Sequence, residues 1–116
     1  MPTYDKAKRK VISAKYYQKV KKQRADKHLM DSYGVTRIVY NQIHEDQEGC
    51  CAICKTHVSD LPRPLVVDHV HGMEGNPFGV RGLLCYGCNT GLGALGDDIE
   101  GLEVALQYLK DYANKN

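Results

Sequence analysis

Hydrophobic positions are sparse in the first third of the chain and predict a long, polar helix there. Apart from Pro2, the segment before Gly34 contains no proline or glycine, so nothing in it interrupts a helix. The apolar positions of this segment form only a narrow stripe, made of Val11, Ile12, Tyr16 and Val20.

A short amphipathic helix is predicted after Gly34. Thr36 is a favourable N-cap residue, and we expect the helix to end at Gly49. One face of this helix is marked by Ile38, Val39, Gln42 and Ile43.

Two strands and a final helix complete the pattern. Residues 65–67 and 80–84 are apolar runs that read as strands, and the glycine-rich stretch between them predicts a loop. Over residues 98–113 apolar residues recur at helical spacing, with Asp97 and Asp98 near the positive N-terminal end of the predicted helix. The apolar positions of this helix are Ile99, Leu102, Leu106 and Leu109.

The composition fits one small domain. With 116 residues, 42% of them hydrophobic, the chain is too short for a Rossmann fold or a barrel. Its core is expected to be thin, and small domains of this kind often depend on a metal or on oligomerisation. No apolar run approaches the roughly 20 residues that cross a bilayer, so we expect a cytoplasmic protein with no membrane partner.

Two cysteine pairs predict a zinc site. Cys51-x-x-Cys54 and Cys85-x-x-Cys88 are knuckles separated by thirty residues, and four thiolates match the closed tetrahedral coordination of structural Zn²⁺. Cys50 is the spare cysteine, and from sequence alone it could exchange roles with Cys51. A cytidine-type deaminase is excluded because Met73 and Leu84 stand where its H-x-E and P-C-x-x-C motifs need Glu and Pro. A two-Cys, two-His finger is excluded because only Val70 separates His69 from His71, so the zinc is expected to be structural.

A second constellation lies between and after the knuckles. Asp68 and His69 follow the first predicted strand, and Asn89 comes directly after the last cysteine, where we expect it to open a helix. Carboxylate and carboxamide oxygens are hard ligands that suit Mg²⁺ or Mn²⁺. A neutral imidazole beside such a site can take a proton from an attacking water. Asp68 and Asn89 are therefore candidate ligands of a catalytic cation, and His69 is the candidate general base of a phosphodiesterase.

Each of these residues also has a structural interpretation. Asp68 could brace a turn, and Asn89 could be only an N-cap. His71, on the same face of an extended chain as His69, could bind phosphate, help to place the base or hold the loop. Arg81 could contact phosphate or be a solvated strand residue.

Charge is distributed unevenly along the chain. Residues 1–27 carry ten Lys or Arg against two Asp, whereas residues 28–116 carry six against twelve acidic residues. A basic segment with interleaved tyrosines suits contact with a nucleic acid backbone, although a solvated helix has the same composition. The candidate DNA-contacting residues are Lys8, Arg9, Lys10, Lys15, Lys19, Lys21, Lys22 and Arg81.

The motifs resemble those of the phage recombination endonuclease VII family, within the His-Me finger (ββα-metal) nucleases. The resemblance rests on residues 51–54, 67–71 and 80–89 and extends from about Gly34 to the last helix. It implies cleavage of branched DNA such as Holliday junctions, an intertwined homodimer and, for a phage-encoded protein, the infected bacterial cell. It also implies that Asp68 and Asn89 bind the catalytic metal, that His69 is the general base and that His71 is a second active-site histidine.

We therefore expect an α+β protein with a small, zinc-stapled ββα core and flanking helices. Residues 1–33 would form a basic arm, and residues 34–116 the nuclease domain. The expected function is divalent-metal-dependent DNA endonuclease activity. The alternatives are a structure-tolerant nicking enzyme and a zinc-ribbon DNA-binding module without catalysis.

Overall fold

The computed structural model describes the backbone of residues 6–115 and the side chains of residues 14–115. Within that part of the chain it is an α+β fold with four α-helices and one antiparallel two-stranded sheet, which confirms the expected class. In chain order the elements are α1 (Lys6–Tyr33), α2 (Arg37–Asp46), β1 (Val66–His69), β2 (Val80–Leu84), α3 (Tyr86–Ala94) and α4 (Ile99–Asn114).

Helix α1 is the long polar helix that the sequence predicts, and its last turns join the core. Leu29 is buried, and Gly34 ends the helix with a φ of +68°, donating its backbone N–H to the Met30 carbonyl at 2.9 Å. A Cβ at Gly34 would lie 2.6 Å from the Gly75 carbonyl oxygen, so glycine is needed here for both conformation and space. The end of α1 is thereby packed against the loop between the strands.

Helix α2 has the predicted N-cap but a different buried face. The Thr36 hydroxyl accepts the Val39 backbone N–H at 3.2 Å. Ile38 is 80% exposed and Val39 47% exposed, whereas Tyr40 is buried and Ile43 packs against the core. The expected apolar face is therefore wrong for Ile38 and Val39 and confirmed for Ile43. Tyr40 is held inside because its hydroxyl donates to the Leu65 carbonyl at 2.5 Å.

The same helix ends at Asp46, before the predicted Gly49. Gln47 is its C-cap, and the side chain of Gln47 pairs with β2. The Gln47 amide accepts the Leu83 N–H and donates to the Leu83 carbonyl, both at 2.9 Å. The amide thus satisfies both backbone groups of one residue of β2, as a neighbouring strand would. Gly49 belongs to the turn that follows, with a φ of +70°.

Strand β2 has the predicted bounds, whereas β1 is shifted along the chain to Val66–His69. In the sheet Asp68 pairs with Gly82 and His69 with Val80, so Arg81 is an extra residue on β2 and forms a β-bulge. The bulge lies opposite the residues predicted to carry the chemistry.

The core lies between α1, α2, the cysteine loops and the sheet. Leu83 and Cys51 have no exposed surface, and α3 packs against both strands. Over residues 14–115 the buried hydrophobic residues are Leu29, Val35, Tyr40, Cys51, Leu65, Val67, Leu83, Leu84 and Cys85. Strands β1 and β2 with α3 therefore form the predicted ββα unit, and two of the knuckle cysteines belong to its core.

Helix α4 begins as predicted but its apolar side is exposed. The Asp98 carboxylate caps the helix by accepting the Gly101 N–H at 2.7 Å. Ile99 is 76% exposed, Leu106 51% and Leu109 63%. Among the residues described here, no helix is long and apolar enough to span a membrane.

Candidate metal centre and active-site cleft

The four predicted cysteines form one cluster. Their sulfur atoms all lie within 4.8 Å of one another, although Cys51 and Cys54 come from a loop after α2 while Cys85 and Cys88 flank the start of α3. Four sulfur ligands at this spacing fit tetrahedral coordination, so the cluster could hold a structural zinc ion. Such an ion would tie the first loop to the ββα unit.

Hydrogen bonds and charge in the cluster favour a bound cation. Burial raises the pKa of the Cys51 thiol, but backbone hydrogen bonds from Cys85, Cys54 and Ile53 outweigh burial and lower the pKa to about 6. Burial and the neighbouring sulfurs raise the pKa of Cys88 to about 12. The neighbouring sulfurs thus oppose a fourth negative charge at Cys88. Because a divalent cation stabilises every thiolate that binds it, a bound ion would allow all four thiols to ionise.

Cys50 lies outside the cluster. Its thiol donates to the Glu48 carbonyl at 3.5 Å, and its backbone pairs with that of His57. Cys51, and not Cys50, is therefore the member of the first knuckle, which resolves the choice that the sequence leaves open.

A cleft of about 690 Å³ contains the predicted catalytic residues. Strand β1 supplies Asp68 and His69, the turn after it supplies His71, and α3 supplies Asn89. The structure therefore brings together all four residues that the sequence singles out.

Asn89 reaches the cleft from within α3 and does not open the helix. The helix begins at Tyr86, and the Cys85 thiol is its N-cap, accepting the Cys88 N–H at 3.3 Å. The Asn89 N–H donates within the helix to the Cys85 carbonyl at 3.0 Å. The expected position of Asn89 at the helix start is wrong because a knuckle cysteine already caps the helix, and this excludes the N-cap role for Asn89.

Asp68 is buried and paired with Arg81. Arg81 donates from Nε and Nη2 to the two carboxylate oxygens of Asp68, at 2.7 and 2.8 Å, and from Nη2 to Asp97 Oδ1 at 2.6 Å. These hydrogen bonds, first to Asp68 and then to Asp97, raise the pKa of Arg81, so it stays cationic. Arg81 is thus an ion-paired residue of the cleft and not a freely solvated one.

His69 has two neighbours that the sequence does not reveal. Its Nε2 lies 3.8 Å from Glu74 Oε1, and its ring lies 5.1 Å from that of Tyr33, centroid to centroid. Hydrogen bonds from the backbone N–H groups of Glu74 and Gly72 lower the pKa of Glu74, so the carboxylate is ionised near neutral pH. The imidazole of His69 therefore has a negatively charged neighbour.

His71 lies in the same cleft but not on an extended chain. Strand β1 ends at His69, and the backbone turns at Gly72, where φ is +91°. The expected extended chain therefore ends before His71, which lies in the turn, although both histidines line the same cleft.

The candidate DNA-contacting side chains of α1 are exposed as far as they are described. Lys15, Lys19, Lys21 and Lys22 are all on the surface. The side chains of Lys8, Arg9 and Lys10 lie outside the described residues. Whether this segment contacts DNA stays a prediction.

Comparison with known proteins identifies the family. The family model for recombination endonuclease VII matches residues 26–111. The Gene 59 proteins of Mycobacterium phages L5 and D29 are each 40% identical to the chain, over 82 and 83 residues. These alignments cover 70% and 71% of this chain but 47% of each relative, so the chain spans about half the length of the curated relatives it matches. No solved structure matches it. With most of its length matched by the family model, the chain belongs to the recombination endonuclease VII family.

Proposed function

We propose that the chain is a divalent-metal-dependent endonuclease that hydrolyses phosphodiester bonds in branched DNA such as Holliday junctions. One observation carries this proposal: a carboxylate, an imidazole and a carboxamide line a single cleft that is built on the four-cysteine ββα unit. Membership of the recombination endonuclease VII family implies a nuclease and supports the same chemistry.

Asp68 and Asn89 are the residues that would hold Mg²⁺ or Mn²⁺. They come from β1 and α3 and offer one carboxylate and one carboxamide, the oxygen donors that these cations prefer. A cation bound there would neutralise charge on the scissile phosphate and the departing oxygen. The pairing with Arg81 leaves further lone pairs on the Asp68 oxygens, because a carboxylate has about four acceptor sites.

His69 is the proposed general base. It accepts a proton from the attacking water, and Glu74, 3.8 Å from Nε2, would stabilise the imidazolium that results. His71 supports the site from the neighbouring turn, where it can bind phosphate. Arg81 lines the same cleft and would contribute to phosphate binding as well.

We assign DNA contact to the basic arm and catalysis to the rest of the chain. Residues 1–33 carry the cluster of basic residues, and residues 34–116 contain every proposed ligand and the base. The division is functional and not a break in packing, because Leu29 of α1 belongs to the core. Phage relatives support action in the cytoplasm of an infected host cell.

A homodimer is part of the proposal. The apolar residues of α4 are exposed, and an exposed apolar helix face is a common site of subunit association. A second copy of the chain would cover this face and place two clefts on two strands of a junction.

The decisive experiment compares a four-way junction with a linear duplex of the same sequence. Zinc-loaded full-length protein is incubated with each DNA, with and without added Mg²⁺ or Mn²⁺. We expect cation-dependent cleavage of the junction that exceeds cleavage of the duplex. Equal cleavage of both would indicate a structure-tolerant nicking enzyme, and binding without cleavage would indicate the non-catalytic module.

Substitution of the proposed ligands tests the cation site directly. Asp68→Ala and Asn89→Ala should each impair cleavage, with partial recovery at higher Mn²⁺ concentration, because losing one ligand weakens cation binding. Full activity of both variants at low Mn²⁺ would exclude them as ligands.

A further inference from the structure

Asp97 is joined to the proposed cation site by a single side chain. Its Oδ1 accepts a hydrogen bond at 2.6 Å from Nη2 of Arg81, the same nitrogen that donates to Asp68 Oδ1 at 2.8 Å. The Arg81 guanidinium therefore links the carboxylate of β1 to a carboxylate in the turn between α3 and α4. All three residues line the cleft.

The backbone holds both ends of this link. Arg81 is the extra residue of the β2 bulge, and such bulges re-aim a side chain relative to its strand. Asp97 has a φ of +55°, which is uncommon for a residue other than glycine, and its N–H donates to the Leu92 carbonyl at 2.8 Å. The next residue, Asp98, caps α4 and does not take part in the link.

The charges of the link favour a cation in the cleft. Asp68 and Arg81 alone would form a neutral pair, whose guanidinium repels a divalent cation. With Asp97 the group has two carboxylates and one guanidinium, so its net charge is negative. Asp97 therefore offsets the charge of Arg81 while Arg81 holds both oxygens of the Asp68 carboxylate.

We propose that Asp97 is a positioning residue of the cation site: through Arg81 it fixes the Asp68 carboxylate and keeps the cleft negative. This inference rests on the proposed function, because it concerns the same cation. From the sequence, Asp97 is predicted only to lie near the start of a helix. The inference adds a role in cation binding.

The test is the substitution Asp97→Asn with Asp98→Asn as a matched control. Both variants remove one carboxylate from neighbouring positions. Asparagine tolerates the positive φ of Asp97, and it is as good an N-cap as aspartate at position 98. Mn²⁺ alone is titrated into zinc-loaded full-length protein and followed by electron paramagnetic resonance, and DNA cleavage is measured over the same Mn²⁺ range.

We expect Asp97→Asn to raise the half-saturating Mn²⁺ concentration about tenfold or more in both measurements, the usual scale for losing a partner of a metal ligand. Cleavage at saturating Mn²⁺ should recover most of the wild-type rate. Asp98 also lines the cleft, so Asp98→Asn removes the same charge but leaves the hydrogen bonds of Arg81 to Asp68 and Asp97 in place. It should therefore shift the midpoint by less than about threefold.

A double-substitution cycle tests whether Asp97 acts through Arg81. In an Arg81→Gln protein, adding Asp97→Asn should change the Mn²⁺ midpoint far less than it does in the wild type. Equal effects in both backgrounds would overturn the proposal.

The remaining outcomes separate this inference from the proposed function. A wild type that neither binds Mn²⁺ nor cleaves DNA overturns the proposed function, and the inference with it. A wild type that does both, with an unchanged midpoint for Asp97→Asn, overturns the inference alone. If the Asp97→Asn protein loses its zinc or its cooperative melting, the test is repeated with Asp97→Gly, since glycine adopts this φ freely. Unfolding of both variants would show that Asp97 has a structural role and would overturn the inference.

Discussion

His69 is the residue on which the proposed chemistry depends most. We expect His69→Ala to reduce DNA cleavage by roughly 10²-fold or more, the usual scale of losing a general base, while DNA affinity and zinc content stay close to wild type. The ring is half-buried between Tyr33 and Glu74, so its removal leaves the core intact. Single-turnover cleavage at saturating protein separates the chemical step from binding.

His44→Ala is the matched control for this prediction. His44 lies on α2 and is not among the residues that line the cleft, so its loss should leave cleavage unchanged. Wild-type cleavage by His69→Ala would show that another group takes the proton.

At this scale the sequence predicts some residues of the candidate site and not others. Asp68, His69 and Asn89 are recognisable as candidates because their chemistry is specific and each lies close to a strand or knuckle that the sequence also reveals. Asp97 and Glu74 are not, since their contacts depend on a positive φ and on a turn whose course no local pattern encodes. The β-bulge that directs Arg81 toward Asp68 is likewise a matter of strand register.

Among the elements, the two knuckles should decide whether the domain folds. Among the residues whose side chains the structure describes, nine hydrophobic residues are buried, and two of these are cluster cysteines. We therefore expect Cys85→Ser to lose bound zinc and cooperative structure together. Zinc per chain, near-UV circular dichroism and the melting temperature measure this. The chain provides its own control in Cys50→Ser, which should keep zinc because Cys50 lies outside the cluster.

An unchanged melting temperature of a zinc-free Cys85→Ser protein would mean that the core is sufficient for folding without the metal. Loss of zinc from Cys50→Ser would instead mean that the first knuckle uses a different cysteine from the one in the structure.

Helix bounds and buried faces are predictable to different degrees. Thr36 and Asp98 cap their helices as their side-chain chemistry predicts. The buried face of α2 was not predictable, because Tyr40 is selected by a hydrogen bond to Leu65, twenty-five residues further along the chain. Local periodicity identifies a helix, but a distant partner decides which side faces the core.

The exposed apolar face of α4 leads to a prediction about self-association. We expect Leu109→Lys to weaken self-association, because it places a charge on an apolar surface that a second copy would bury. Gln107→Lys is the control on the polar side, where Gln107 contacts Asp111. Sedimentation equilibrium over a range of concentrations measures both. A wild type that is monomeric throughout, or two variants with equal effects, would contradict dimerisation through this face.

On the scale of the whole molecule, one helix dominates the dimensions. The chain measures 81 × 33 × 24 Å, and α1, with 28 residues at about 1.5 Å rise, spans about 42 Å. The family match begins at residue 26, near the point where α1 joins the core at Leu29. The preceding basic turns therefore extend away from the core, and we expect their removal to have little effect on its packing.

Deleting residues 1–24 should separate DNA attraction from catalysis. The deletion removes nine of the 16 Lys and Arg residues but keeps Asp26, which accepts a hydrogen bond from Arg37 at 2.9 Å. Each phosphate contact contributes roughly −0.9 to the slope of log K against log salt, so about four engaged residues would flatten the slope by about 4. Binding should weaken most at low salt, where screening is least, and cleavage should persist at high protein concentration.

Junction affinity of the full-length and shortened proteins, measured at several salt concentrations, gives the two slopes. The full chain with Lys15, Lys19 and Lys22 changed to Gln is the matched variant, since these exposed side chains can lose their charge without shortening the helix. If the shortened protein loses zinc or cooperative melting, this variant alone decides, and its slope should be flatter by up to about 2.7. Slopes parallel to the wild type would show that α1 is a solvated helix, and the attraction to DNA would then have to come from the cleft itself.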